Sequence, residues 1–279
     1  LKLEAIVCNG MASLLAALEH DGLLNEDASS LLDGAAGVER HTVVLVGVTG
    51  DGKSSTGNSL CGSDAFVASS GFASVTRKCE HADYLHKGKL WRVIDTVGLH
   101  DTDLSKQEVI DRFISFADLA PDGLDVFLFV VRWGRFKPEH HAALDAFVSN
   151  CGEAVLKHTI FVFSHCTETP ESLQQALCTS APATLRSWLD KVPTSIGIEN
   201  YPAASASQAA AGPLPAREVL HESIEMVIAA NNGARYTNDI LAEARMRCAA
   251  AQEAERASFA AAVEEWRRGT GPVTIERED

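Results

Sequence analysis

Short apolar runs punctuate the chain from residue 42 onward, beginning with Thr42-Val43-Val44-Leu45-Val46. They predict strands at 42–47, 82–86, 90–95, 124–131, 158–163 and 195–198. Val126-Phe127-Leu128-Phe129-Val130-Val131 is apolar without alternation, as strands covered on both faces are. His86-Lys87-Gly88-Lys89 joins the second and third strands with a hairpin-turn signal. Between the strands, the pattern predicts helices at 53–60, 105–119, 138–150, 172–190 and 217–230. This alternation predicts an α/β, doubly wound domain: a mostly parallel sheet with helices on both faces.

Other segments flank that domain. Residues 1–40 carry an amphipathic stretch, Met11 to Leu24, and a Gly34 to Gly37 linker, so an N-terminal helical segment is expected there. The α/β domain is expected over 41–235, with a loop at 202–216 rich in Ala, Ser, Gly and Pro. Thr237-Asn238-Asp239 reads as a helix start with a hydroxyl cap. A C-terminal helix is expected over 236–268, followed by a tail at 269–279. Its apolar stripe is weak, which leaves open whether it packs on the domain or serves a partner.

The first strand runs into Gly47-Val48-Thr49-Gly50-Asp51-Gly52-Lys53-Ser54, a G-x-x-x-x-G-K-[ST] phosphate loop. A strand delivers the chain to a Gly-rich turn, the turn's N–H groups wrap a pyrophosphate, and the next helix points its positive end at the same anion. Gly47, Thr49, Gly50, Asp51, Gly52, Lys53, Ser54 and Ser55 form the expected cradle. Lys53 reaches the β- and γ-phosphates, and the Ser54 hydroxyl is an Mg²⁺ ligand.

Strand 90–95 ends in Ile94-Asp95-Thr96-Val97-Gly98. Asp95 at a strand tip suits Mg²⁺, usually through water. The Gly98 N–H suits a γ-phosphate. Lying about 40 residues after the phosphate loop, this D-x-x-G favours a GTPase-type site. Ser74-Val75-Thr76 lies between the two motifs, and Thr76 can give Mg²⁺ a second hydroxyl when a γ-phosphate is present. Leu99 stands where many GTPases place a water-orienting Gln, so unaided hydrolysis is expected to be slow unless a group such as an Arg is supplied.

Composition narrows the partners. A net charge of −14 argues against nucleic acid and against an anionic membrane surface. Seven scattered cysteines without a C-x-x-C pair fit a reducing, cytoplasmic setting rather than disulfides or zinc. No apolar run reaches the roughly 18 residues of a membrane span, so membrane association would rest on segments not seen here. His140 and His141 are adjacent and do not share a helix face, so no metal site is expected from them. Trp91 and Trp133 read as packing or interface residues.

The run Gly50 to Gly62 resembles the start of the immunity-associated GTPases, the GIMAP, IAN and avirulence-induced type. Ser74-Val75-Thr76 with Cys79, Asp95-Thr96-Val97-Gly98-Leu99 with Asp101, the box Phe129 to Phe136, Lys157 to Phe163, and Asn232 to Asn238 are similar to the same family. Gly134-Arg135-Phe136 is the most family-specific piece. The resemblance, over about 41–245, implies a GTPase domain that binds GTP and GDP with Mg²⁺ and pairs through its nucleotide face. It implies that Arg135 acts as a finger across a homodimer, supplying what Leu99 cannot. Lys53, Thr76 and Arg135 are then the expected catalytic groups.

Base recognition departs from that family. Thr167 falls where an Asp normally reads guanine, and Glu168 is one residue late. Ser164-His165 and Ile198-Glu199-Asn200 resemble the base loops of chloroplast-import (Toc) GTPases. By that resemblance His165 stacks on the purine, Glu199 accepts the guanine donors and Asn200 contacts O6. The alternatives that remain are a nucleotide-dependent scaffold with little hydrolysis, an organelle-surface import-receptor-like GTPase and, more remotely, an ATP-using P-loop protein.

Overall fold

The computed structural model describes residues 40–67, 80–96, 119–120, 123–200 and 216–267. The segment at 1–39, the helix expected at 105–119 apart from its last residue, residue 201 and the loop expected at 202–216 apart from Ala216, the expected tail, and Thr76, Gly98 and Leu99 lie outside the described residues.

Among the described residues, six strands form one sheet: β1 (Arg40–Val46), β2 (Glu80–His86), β3 (Lys89–Asp95), β4 (Val126–Arg132), β5 (Thr159–Ser164) and β6 (Thr194–Gly197). Their spatial order is β2-β3-β1-β4-β5-β6. All neighbours pair in parallel except β2 with β3. That exception is the predicted hairpin. Lys87 (φ 48°) and Gly88 (φ 74°) are both left-handed, as a two-residue turn that matches strand twist requires.

The helices are α1 (Lys53–Cys61), α2 (Pro138–Cys151), α3 (Pro170–Thr179), α4 (Ala183–Leu189), α5 (Ala216–Ala230) and α6 (Asp239–Arg267). The single helix expected over 172–190 is two. Pro182 lacks an N–H and disfavours the helical conformation in the residue before it. Leu173, Leu177, Leu185 and Trp188 are all buried in one cluster, so an apolar stripe runs on across the break. The expected hydroxyl cap of α6 is also different: Asn238 Oδ1, rather than Thr237, accepts from the Leu241 N–H at 2.7 Å.

Strand residues alternate between two cores. Val44, Val46, Phe127, Phe129, Val131, Phe161 and Phe163 face Leu144 and Phe147 of α2, with Leu241 and Ala244 of α6 in the same cluster. Val43, Leu45, Val126, Leu128, Val130, Ile160 and Val162 face Leu60 of α1 and Leu220, Ile224 and Val227 of α5. This is why β4 reads as an unbroken apolar run: both faces are covered. Each such side chain contributes about 1.5–3 kcal/mol by leaving water. The start of α6 packs on the domain, and Tyr236 just before it donates its hydroxyl to the Cys151 carbonyl at 2.6 Å. Glu243, Met246 and Arg247 are exposed.

Candidate functional site

Five parallel strands bring their carboxyl ends to one edge of the sheet, and the strand order reverses about β1. Ligands of doubly wound sheets bind at such a reversal. The loop after β1, Asp95 at the end of β3, the Arg135 turn after β4 and the loops after β5 and β6 all emerge there.

The loop after β1 is shaped by its glycines. Gly47 has φ 140°, and a Cβ on it would lie 2.2 Å from the Val130 carbonyl oxygen. The loop therefore leaves the strand pressed against the backbone of β4. Gly52 (φ 96°) is the N-cap of α1 and brings no side chain to the helix end. The first-turn N–H groups of α1 are thus left without a side-chain cap, as binding of an anion there requires. Lys53 Nζ donates to the carbonyls of Gly47 (2.9 Å) and Val48 (3.3 Å), which holds the ammonium at the start of the loop.

Ser54 and Asp95, separated by 41 residues in sequence, meet: Ser54 Oγ donates to Asp95 Oδ2 at 2.7 Å. Asp95 is 2% exposed, and its other oxygen, Oδ1, is buried without a hydrogen-bond partner among the described residues. Burial pushes this carboxyl above its ordinary range, against the opposing pull of the Ser54 hydrogen bond and of Lys53. A hydroxyl and a carboxylate with one unsatisfied oxygen are the hard donors Mg²⁺ takes, so the residues fit that ion.

Asp51 directs its carboxylate to α2. Its Oδ2 lies 2.8 Å from His140 Nε2, and both side chains are buried. The Lys137 backbone N–H donates to His140 Nδ1 at 3.0 Å. An N–H can only donate, so Nδ1 accepts and the proton sits on Nε2, directed at Asp51. Burial raises the Asp51 carboxyl, with His140 and Lys53 opposing. The Asp51 carbonyl accepts from Ser164 Oγ at 2.6 Å. Neither His140 nor Ser164 was assigned a role from sequence. The signal that could have found His140 is the acid itself: a carboxylate in an anion-binding loop needs a partner.

The two candidate base loops are stitched together. Cys166 N–H donates to the Ile198 carbonyl (3.0 Å), and Ile198 N–H to that of Phe163 (2.9 Å). His165 is exposed in the left-handed region (φ 53°) between them. Glu199 and Asn200 are half-buried. Asn200 reaches α1: its Nδ2 donates to Thr56 Oγ1 (3.1 Å), and its Oδ1 accepts from Ser59 Oγ (2.9 Å). Glu168 instead accepts from the Ser172 hydroxyl at the start of α3.

Arg135 is exposed in a turn whose N–H donates to the Arg132 carbonyl at 3.1 Å. Trp133 packs edge-on to Phe163 (5.3 Å), and Trp91 is fully buried, in keeping with packing roles. The structure thus gathers the loop of Gly47–Ser55, Asp95, His165, Glu199, Asn200 and Arg135 along one edge. Among the described residues no group of three or more His, Cys, Asp or Glu could hold a metal. None of their helices is long and apolar enough to cross a membrane.

A six-stranded, mostly parallel sheet with flanking helices and a glycine-rich phosphate loop after its first strand is a P-loop G domain. Structural comparison gives the same class. The fold is similar to Toc33 from Arabidopsis thaliana, solved as a dimerisation-deficient arginine-to-alanine mutant, with a TM-score of 0.53, 21% identity, 80% of this chain and 94% of that one covered. The profile of the AIG1 family matches residues 41–255, and the chain belongs to that family. Among curated relatives, it is 28% identical over 208 residues to immune-associated nucleotide-binding protein 9 of Arabidopsis thaliana, covering 73% of this chain and 60% of that protein. It is 36% identical over 124 residues to protein 3 of the same series, covering 44% of this chain and 37% of that protein. The chain therefore spans less than two thirds of the length of these two relatives.

Proposed function

We propose that the chain is a switch that binds GTP and GDP with Mg²⁺, hydrolyses GTP slowly alone, and hydrolyses it faster when two copies pair through the nucleotide face. The observation that carries this reading is the Ser54–Asp95 contact beside the phosphate loop, with Asp95 Oδ1 left unsatisfied. Lys53 and the loop N–H groups of Gly47 to Ser55 bind the phosphates. Ser54 and Asp95, with Thr76, would hold the ion, which would neutralise charge on the phosphates when bound. The Gly98 N–H meets the γ-phosphate. His165 stacks on the base, and Glu199 accepts from its N1–H and N2–H₂ groups. The Asn200 amide carries two N–H groups, so the bond to Thr56 leaves the second for guanine O6.

Arg135 supplies in trans a catalytic group that compensates for Leu99, which cannot orient water. Its exposure at the site's edge is what a finger needs. An arginine-to-alanine mutant of Toc33 is dimerisation-deficient, and dimerisation is important for the GTPase activity of the chloroplast translocon components atToc33 and psToc159. Those statements concern those proteins. The reading for this chain rests on Arg135 and Leu99. Leu99 also favours a second reading, a nucleotide-dependent scaffold that hydrolyses little.

Single-turnover GTP hydrolysis against protein concentration separates the two. The switch requires a rate that climbs with concentration and falls at least about tenfold in Arg135→Ala. A rate flat and low at every concentration, unchanged in the variant, would leave the scaffold.

A further inference from the structure

An acid inside an anion-binding loop opposes the anion unless its charge is turned away and held. Asp51 is held by one imidazole, and that imidazole belongs to the element that follows the Arg135 turn. His140 lies in the first turn of α2, where Pro138 starts the helix. Its Nδ1 holds the main-chain N–H of Lys137, two residues after Arg135. Phe136, beside Arg135, stacks on the His140 ring with centroids 5.8 Å apart and planes at 29°. His140 is 2% exposed, so this link sits in a dry, low-dielectric setting where each hydrogen bond is stronger than in water. On the loop side, Ser164 Oγ ties the Asp51 carbonyl at 2.6 Å, so Asp51 is fixed through both its main chain and its side chain.

We infer that His140 is a positioning residue that joins the phosphate loop to the Arg135 turn, so that nucleotide in the loop orders the turn that presents Arg135. This deepens the function proposed above and rests on it. The link works by transmitted geometry. Phosphate fixes the loop N–H groups around Asp51, Asp51 fixes the imidazole, and the imidazole fixes Lys137 N–H and the Phe136 ring. Arg135 lies between two anchored points, the Trp133 N–H bonded to the Ser164 carbonyl (2.9 Å) and the Lys137 N–H bonded to His140. A copy carrying GDP or GTP would then offer a better-ordered finger to its partner than an empty one.

Hydrogen exchange of the full chain, empty and saturated with GDP and Mg²⁺, tests this at residues 133–141. In the unmodified protein, nucleotide should slow exchange there at least about threefold. His140→Gln keeps a side-chain N–H near the position of Nε2 but loses the Nδ1 acceptor for Lys137 and the ring against Phe136, so it should bind GDP and lose the effect. His140→Phe should still bind GDP yet lose the nucleotide-dependent difference. His140→Leu breaks the same bonds with a smaller side chain, so it serves if the Phe variant does not fold. Slowing that persists equally in His140→Phe or His140→Leu would overturn the inference, as would GDP bound without any change at 133–141. Failure of the unmodified protein to bind GDP at all would be read separately and would remove the nucleotide function along with it.

Discussion

Ser54 and Asp95 meet at 2.7 Å although they belong to α1 and β3, on separate segments of the chain. The parallel pairing of β1 with β3 puts Leu45 opposite Asp95, so the end of one strand delivers the carboxylate beside the loop that follows the other. The register of two strands therefore positions this site, and a shift of one residue would turn Asp95 to the opposite face of the sheet.

Asp95→Asn should separate stability from function. The folded-state pKa of Asp95 is raised above 3.8 by burial, so the folded protein holds that proton more tightly than the unfolded chain. Stability from this group is present at low pH and lost as pH rises through the raised value. At pH 7 the neutral Asn, which keeps an acceptor for Ser54, should raise the melting temperature of the empty protein. The same change should abolish the gain in GDP affinity that Mg²⁺ gives. Calorimetry and titration with and without EDTA read the two effects.

Gly47→Ala should cost about 3 kcal/mol or more, because its Cβ would fall 2.2 Å from the Val130 carbonyl in a backbone conformation that L side chains rarely adopt. Urea denaturation reads the loss. A variant of unchanged stability would mean that the loop does not press on β4.

The other core carries a pH dependence. His221 is fully buried, stacked on His86 at 3.7 Å, and near Trp91 and Tyr84. Burial, with His86, Arg217 and Lys87 nearby, lowers it from 6.5 to about 3. The unfolded chain takes up a proton near pH 6.5 that the folded one refuses until about pH 3. Stability from this group is complete above that window and declines as pH falls through it. His221→Gln should reduce the slope there by about 1.4 kcal/mol per pH unit. An unchanged slope would assign the acid sensitivity elsewhere.

Glu199 and Asn200 should differ on substitution. Asn200→Ala removes two hydrogen bonds to α1 as well as the N–H offered to guanine O6, so it should cost about 1–3 kcal/mol of stability and weaken GDP more than ADP. Glu199→Gln keeps the shape and exchanges an acceptor oxygen for a donor. It should weaken GDP at least about tenfold and leave ADP unchanged. Competition titrations against a fluorescent nucleotide distinguish them.

What was legible in the sequence was local. The phosphate loop is eight consecutive residues, and its glycines, Lys53 and Ser54 take their places because strand, turn and helix follow one another directly. The strands were readable because their apolar runs serve two cores. What was not legible depends on contacts between distant segments: His140 with Asp51, Ser164 with Asp51, and Asn200 with Ser59 are 89, 113 and 141 residues apart. The break at Pro182 was hidden because Leu177 and Leu185 are buried in the same cluster on either side of it. A side chain with two possible uses also escapes a motif, and Asn200 shows this by reaching α1 as well as standing in a base loop.

The most direct measurement is displacement of a fluorescent guanine nucleotide, with Mg²⁺ present, by GDP and by ADP, in the unmodified protein and in Lys53→Ala. The expected result is displacement by GDP at concentrations at least about 100-fold below those of ADP, with binding lost in Lys53→Ala. Equal displacement by ADP, or undiminished binding in Lys53→Ala, would contradict a guanine-nucleotide site built on the Gly47–Ser54 loop.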